Sequence, residues 1–265
     1  MKYYIASCVF TEKHPALSDK IQAYARRRGM SVVRCCVPGY KVHEFEARMH
    51  PTYRGNWQAL PHCTDFGPGD AVYSICHNCL NIIEETKSAV GVFSIWEAIA
   101  ADPDFDFPNF HGRQAVLQDC WRSRKRPDEQ DAVRSILDKM HVRWTEAPKA
   151  REQTDFCGNS LYRPQPPGNP RLAPAHYAPG ILPANLNLIA RKSSGPLCRI
   201  TAKFSETRRS SAIVIIASRA CKTAAPMGFI WLSGCFEACS LKKNVSREAF
   251  FFCAMRRLNR GSAGG

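Results

Sequence analysis

The sequence predicts an α/β fold made of two related half-domains, followed by a basic tail that belongs to neither. Three observations predict it. Short apolar runs alternate with segments of helical period from Tyr3 to about Cys157. The order strand, cysteine, helix, strand, cysteine occurs twice, starting at Tyr3 and again at Gln114. The charge then breaks: residues 1–180 carry 23 Lys and Arg against 20 Asp and Glu, whereas residues 181–265 carry 14 against 3.

Taken in order, Lys2-Tyr3-Tyr4-Ile5-Ala6 reads as a strand ending at Ser7-Cys8. Pro15 opens a helix, because proline suits a first helical position. Leu17, Ile21 and Tyr24 form its apolar stripe, and Gly29 ends it after Arg26-Arg27-Arg28. Basic residues in a last turn face the negative end of the helix dipole, so this run reads as a solvated helix end. Met30 to Arg34 is the next strand, and Cys35-Cys36-Val37-Pro38-Gly39 turns out of it.

His43 to Met49 reads as a helical turn and Pro51 to Gly69 as loop. Gly67-Pro68-Gly69-Asp70 is a turn before the strand Ala71–Ile75, which runs into Cys76-His77-Asn78-Cys79 and a helix beginning at Leu80. Val90–Phe93 is a short strand and Trp96–Ala101 a helix. Asp102–Gly112, rich in Pro, Asp and Phe, is the expected linker, giving half-domains over 1–112 and 113–180. In the second, Gln114–Gln118 is a strand ending at Asp119-Cys120, Pro127 opens a helix, His141–Trp144 is a strand, and Phe156-Cys157-Gly158 follows. Each half-domain is expected to be Rossmann-like, with its cysteines at the carboxyl ends of the strands, where open α/β sheets bind ligands.

Composition narrows the function classes. Thirteen cysteines in 265 residues are far above ordinary usage. In a long chain of βα units, clustered cysteines point to metal or redox chemistry in a reducing compartment, and a cytoplasmic location is expected. The first apolar run is too short and wrongly flanked for a signal peptide, and no run approaches a membrane span. The formal charge of +14 suggests nucleic acid, but 11 of those charges come from residues 181–265, so no nucleic-acid partner is expected.

Five thiols, Cys8, Cys35, Cys36, Cys76 and Cys79, fall at the ends of three expected strands. A Cys-x-x-Cys supplies two ligands from one turn, the second near a helix N-terminus that favours the thiolate. An adjacent pair reaches one ligand only if the chain turns there, and Val37-Pro38-Gly39 supplies that turn. An iron–sulfur cluster fits this set. A structural zinc site, a thiol–disulfide pair at Cys76 and Cys79, and plain buried cysteines are the alternatives. Cys63 reads as structural, and His77 as a surface or supporting residue. No Gly-rich phosphate loop or Ser/His/Asp arrangement competes, and Gly158 alone is no nucleotide signature.

Ser7-Cys8, Cys35-Cys36-Val37-Pro38-Gly39 and Cys76-His77-Asn78-Cys79-Leu80 together resemble the cysteine-rich (CCG) domain family of heterodisulfide-reductase-like iron–sulfur oxidoreductases. Asp119-Cys120-Trp121 and Phe156-Cys157-Gly158 resemble the second half of the same family, and the resemblance covers roughly residues 3–177. It implies a noncubane [4Fe–4S]-type cluster held by Cys8, Cys35, Cys36, Cys76 and Cys79. It implies oxidoreductase chemistry on sulfur groups, or electron transfer to a protein that performs it, with redox subunits, electron carriers or a disulfide as partners. It assigns no catalytic residue. In the second half Phe156 replaces one of the paired cysteines, leaving Cys120 and Cys157 for a second site that lacks its own Cys-x-x-Cys.

Residues 181–265 hold no Cys-x-x-Cys and no clear βα rhythm. Either they are a basic extension, or the reading frame has slipped near residues 178–200. The codons of Ala212–Ala220, read one nucleotide earlier, can spell Cys-Tyr-Cys-His-Tyr-Cys-Leu-Glu-Gly, which contains the missing motif. The slipped frame is the expectation, and with it a tail that takes no part in the fold.

Overall fold

A computed structural model describes residues 1–34, 42–155 and 169–184, with residues 212–215 described as backbone alone. The protein is α/β, and every strand pairing among the described residues is parallel. By its contacts the chain divides into two compact units, Met1–Ala98 with Arg163–Leu182, and Ile99–Tyr162 with Pro183–Gly265. The described residues 169–182 thus belong with the first unit.

The first unit is built on four strands, β1 (Lys2–Ile5), β2 (Ser31–Val33), β3 (Ala71–Ser74) and β4 (Gly91–Ser94), in the order β2-β1-β3-β4. Tyr3 pairs with Ser31 on one side and Val72 on the other. Ile5, Val33, Phe66, Val72 and Ile83 form a buried cluster, with Tyr3, Val92 and Cys63 packed against it. Cys63 is thus a small apolar filler, as its lack of a nearby partner in sequence suggests.

Two helices separate β1 from β2. The first, α1 (Cys8–Lys13), begins at the cysteine itself, where the sequence signals only the end of a strand. The second, α2 (Pro15–Arg27), buries Leu17, Ile21 and Tyr24. It ends as a Schellman motif: Gly29 stands at φ 71° and donates to Arg26 O, and Met30 donates to Ala25 O. The helix α3 (Val42–Arg48) matches expectation, but Pro51–Gln58 is a helix too, α4, and not loop. Pro51 sits at its start and Trp57 is buried beneath it. Its single apolar anchor leaves no periodic pattern to read. The helices α5 (His77–Thr86) and α6 (Ile95–Ala100) follow β3 and β4.

The second unit contains β5 (Gln114–Gln118), α7 (Pro127–Lys139) and β6 (Arg143–Glu146), with Asp102–Gly112 forming no helix or strand, as its composition predicts. The end of α7 repeats the end of α2. His141 stands at φ 53° and donates to Asp138 O, while Val142 donates to Leu137 O. In the tail, β7 (Ala212–Ile215) pairs with β5, giving the order β6-β5-β7. At these four residues the tail joins a sheet, where the sequence predicts no part in the fold; a run of Ala, Ile, Val and Ile has the β-branched content that suits a strand. In both sheets the first strand lies between the second and the third.

Candidate functional site

In the first sheet the chain crosses from β1 to β2 on one side and returns past β1 to β3 on the other. The connections diverge at the carboxyl ends of β1 and β3, where open parallel sheets leave a crevice. Ser7 and Cys8 follow β1 there, and Cys76 follows β3.

Two serines fasten this corner. Ser74, fully buried, donates to Ile5 O at 3.1 Å and accepts from the Cys76 N–H at 3.2 Å. It thereby ties the end of β3 to the end of β1 and fixes the backbone entering Cys76. Ser7 caps α1 by accepting from the Phe10 N–H at 3.3 Å, and its hydroxyl also bonds the Cys76 sulfur. Ser7 enters the sequence reading only as the residue before Cys8, and Ser74 only as a residue of the strand before Cys76; neither role is announced there.

Cys76 is the N-cap of α5, and Cys79 lies in the first turn of that helix. The thiol of Cys79 donates to the sulfur of Cys76, and this bond is the largest reason the Cys76 thiol is pulled down to about 6. Burial pushes the other way; the Cys79 N–H, the charge of His77 and the Ser7 hydroxyl add to the lowering. Neither thiol is in a disulfide and both are partly exposed, so the pair is open to a ligand or reagent. His77 is buried and not at the surface.

Tyr4, on β1, lies close enough to Cys76 and Cys79 to feel their charge. It is wholly buried, and its hydroxyl has no hydrogen-bond partner among the described residues. Burial raises its pKa most, and the nearby Cys76 and Cys79 raise it further. A buried hydroxyl without an acceptor costs free energy unless something at the site accepts from it.

The structure therefore brings Cys76 and Cys79 together and joins them to Ser7, the neighbour of Cys8. Cys8 is a partly exposed thiol, outside any disulfide, at the first position of α1. Among the described residues no three Cys, His, Asp or Glu side chains are grouped as a metal site. Cys35 and Cys36 lie outside the described residues. Of the second site, Cys120 is buried before the helical turn Trp121–Ser123, and Cys157 lies outside the described residues.

Next to Cys120 is a group that no sequence pattern announces. Asp119, also buried, receives Arg134 through two bonds of 3.1 and 2.8 Å and the Arg151 N–H at 2.8 Å. Arg134 also bonds Glu146. This network holds the carboxyl end of β5 to α7 and β6.

The helix of the Cys-x-x-Cys carries a second unexpected feature. Residues 169–177, with the short helices α8 (Asn169–Leu172) and α9 (Pro174–Tyr177), lie along α5. Tyr177 is fully buried there; its hydroxyl donates to Asn78 Oδ1 at 2.9 Å and accepts from Asn81 Nδ2 at 3.2 Å. Asn169 Nδ2 donates to the same Asn78 oxygen at 3.2 Å. The ring of His176 sits between Glu85 and Glu84, and the Ala175 N–H donates to Glu85 Oε2 at 2.9 Å. In sequence this stretch is punctuated by Pro170 and Pro174 and reads as connection, which hides it.

No protein-family model matches the chain, and no curated protein or solved structure does. Among the described residues no helix is long and apolar enough to cross a membrane.

Proposed function

We propose that this chain is an iron–sulfur redox protein of the heterodisulfide-reductase-like type, working in the cytoplasm beside other redox subunits or electron carriers. The observation that carries the proposal is the thiol pair Cys76–Cys79 at the crevice between β1 and β3, with Cys76 pulled down to about 6. A thiol so lowered is largely thiolate at neutral pH, which is the form a metal binds. The donor set fits: two thiols converge, Cys8 stands beside Ser7, and the buried Tyr4 hydroxyl has no acceptor among the described residues, a place a cluster sulfide would fill. Cys8, Cys35, Cys36, Cys76 and Cys79 would hold the group, a [4Fe–4S] type, which supplies one-electron chemistry for a disulfide or carrier acceptor.

This chain's own residues do the positioning. Ser74 holds the Cys76 backbone, Ser7 and Cys79 bond its sulfur, and the buried Tyr4 hydroxyl lies near both thiols. The features Cys8, Pro15, Gly29 and Ser31 recur as Cys120, Pro127, His141 and Arg143, each 112 residues later. With the shared strand order, this supports two related Rossmann-like half-domains, of which the first carries the complete set of thiols.

A zinc-stabilised binding or regulatory module is the second reading, because a thiolate pair at the start of a helix serves zinc equally well. Anaerobic purification of the full chain, with iron, sulfide and zinc analysis and a visible spectrum, separates them. Iron and sulfide in equal amount, a visible band that bleaches on reduction, and loss of both in Cys76→Ser are expected. A colourless protein holding zinc overturns the cluster and leaves the second reading.

A further inference from the structure

We propose that Tyr177 and Asn169 are positioning residues for the Cys76–Cys79 pair, acting from outside the site through Asn78. Asn78 is one of the two residues between the cysteines, and its side-chain oxygen accepts from both. With that oxygen taken by two donors, the orientation of the Asn78 amide is fixed. The other intervening residue, His77, is buried. Both residues that set the separation of the two sulfurs are therefore held.

The grip extends along one face of α5. Asn78, Asn81 and Glu85 recur at helical spacing, and all three are bonded by residues 169–177. Tyr177 is fully buried and Asn169 2% exposed, so both donors are shielded from water. The residues come from a stretch some ninety positions downstream, after the chain has passed through its second unit. The thiol geometry of the first unit is thus completed by residues 169–177. This concerns the thiols themselves and goes beyond the question of what they bind.

The test uses the reduced, metal-free full chain and phenylarsine oxide, a trivalent arsenical that must bridge two thiols to bind. Protection of Cys76 and Cys79 from alkylation is read site by site by mass spectrometry. Tyr177→Phe, which removes only the hydroxyl, raises the half-protecting concentration about fivefold, the worth of one hydrogen bond. Asn78→Ala does the same, and Tyr177→Phe adds nothing once residue 78 is alanine. An unchanged concentration in either single variant overturns the proposal. So do additive effects in the double variant, which a merely packing role for Tyr177 would give, and so does a wild-type pair that the arsenical does not protect. The alkylation rate of Cys63, packed on the core, reports whether each variant has folded. Asn78→Ala removes no core side chain and decides the matter alone if Tyr177→Phe does not fold.

Discussion

Arg134 meets Asp119 through two parallel bonds at the carboxyl end of β5, with both side chains at least nine-tenths buried. Buried pairs of this kind are poor evidence of net stabilisation, since removing both charges from water offsets much of their attraction. Breaking one is different, because the partner is left buried and uncompensated. Arg134→Leu is expected to cost about 3–5 kcal/mol in urea unfolding. Glu146, more than a third exposed, is worth less, and Glu146→Gln is expected to cost under about 1 kcal/mol. Replacing Arg134 and Asp119 together by leucine should recover most of the loss. A cost for Arg134→Leu no larger than that for Glu146→Gln would show that the pair does not fasten the strand end.

Gly29 and His141 occupy the same position at the ends of two helices of the same length, and both have positive φ. Glycine takes that conformation without a side-chain clash, while other residues lose about 1 kcal/mol. His141→Gly is expected to raise stability by about 0.5–1 kcal/mol, and Gly29→Ala to lower it by a similar amount. Nothing lies within 4 Å of a Cβ built on Gly29, so its cost would be backbone alone. Thermal unfolding of the two variants checks the opposite signs; a destabilised His141→Gly would mean that the imidazole holds the turn in some other way.

How far the sequence can be read follows from what each residue signals. Strands β1, β3 and β5 are legible as apolar runs, and α2 and α7 as periodic stripes opened by proline. The helix α4 is not, because its buried surface is one tryptophan. Cys76 and Cys79 are legible because their spacing is itself a motif. Tyr177 is not, because a tyrosine contacts a residue ninety-nine positions away with no local pattern to announce it. The pairing of Arg134 with Asp119 is hidden for a related reason: Arg134 lies on α7 among other charges, and only the fold shows which of them is buried. The order of elements that starts at Tyr3 and again at Gln114 is visible in sequence; the two matching helix ends become visible only from backbone angles.

The lowered Cys76 thiol makes stability depend on pH in the metal-free chain. Its folded value is about 6, against an ordinary thiol near 9 in the unfolded chain. Below about pH 6 both states keep the proton and the group contributes nothing. Between about 6 and 9 the unfolded chain binds a proton that the folded one releases, so stability rises with pH, and above that window the contribution is constant. Wild-type protein is expected to gain stability over Cys76→Ser across this window, in urea titrations at fixed ionic strength. Cys79→Ala removes the donor that matters most and should move the midpoint of Cys76 alkylation upward. A midpoint that stays put would assign the lowering to the helix end and Ser7.

The Tyr4 hydroxyl gives the site its most direct internal check. Wholly buried and without a hydrogen-bond partner among the described residues, it is a cost to the metal-free protein. Tyr4→Phe removes the oxygen and keeps the ring in the sheet, so the metal-free variant is expected to be as stable as wild type or more stable by about 1 kcal/mol. If a ligand at Cys76 and Cys79 accepts from this hydroxyl, the same substitution should weaken the loaded protein: reconstituted Tyr4→Phe would lose its bound iron to a chelator faster than wild type. The two effects have opposite signs, which a simple packing defect cannot produce. A variant destabilised in both states would place Tyr4 in the core and nowhere else.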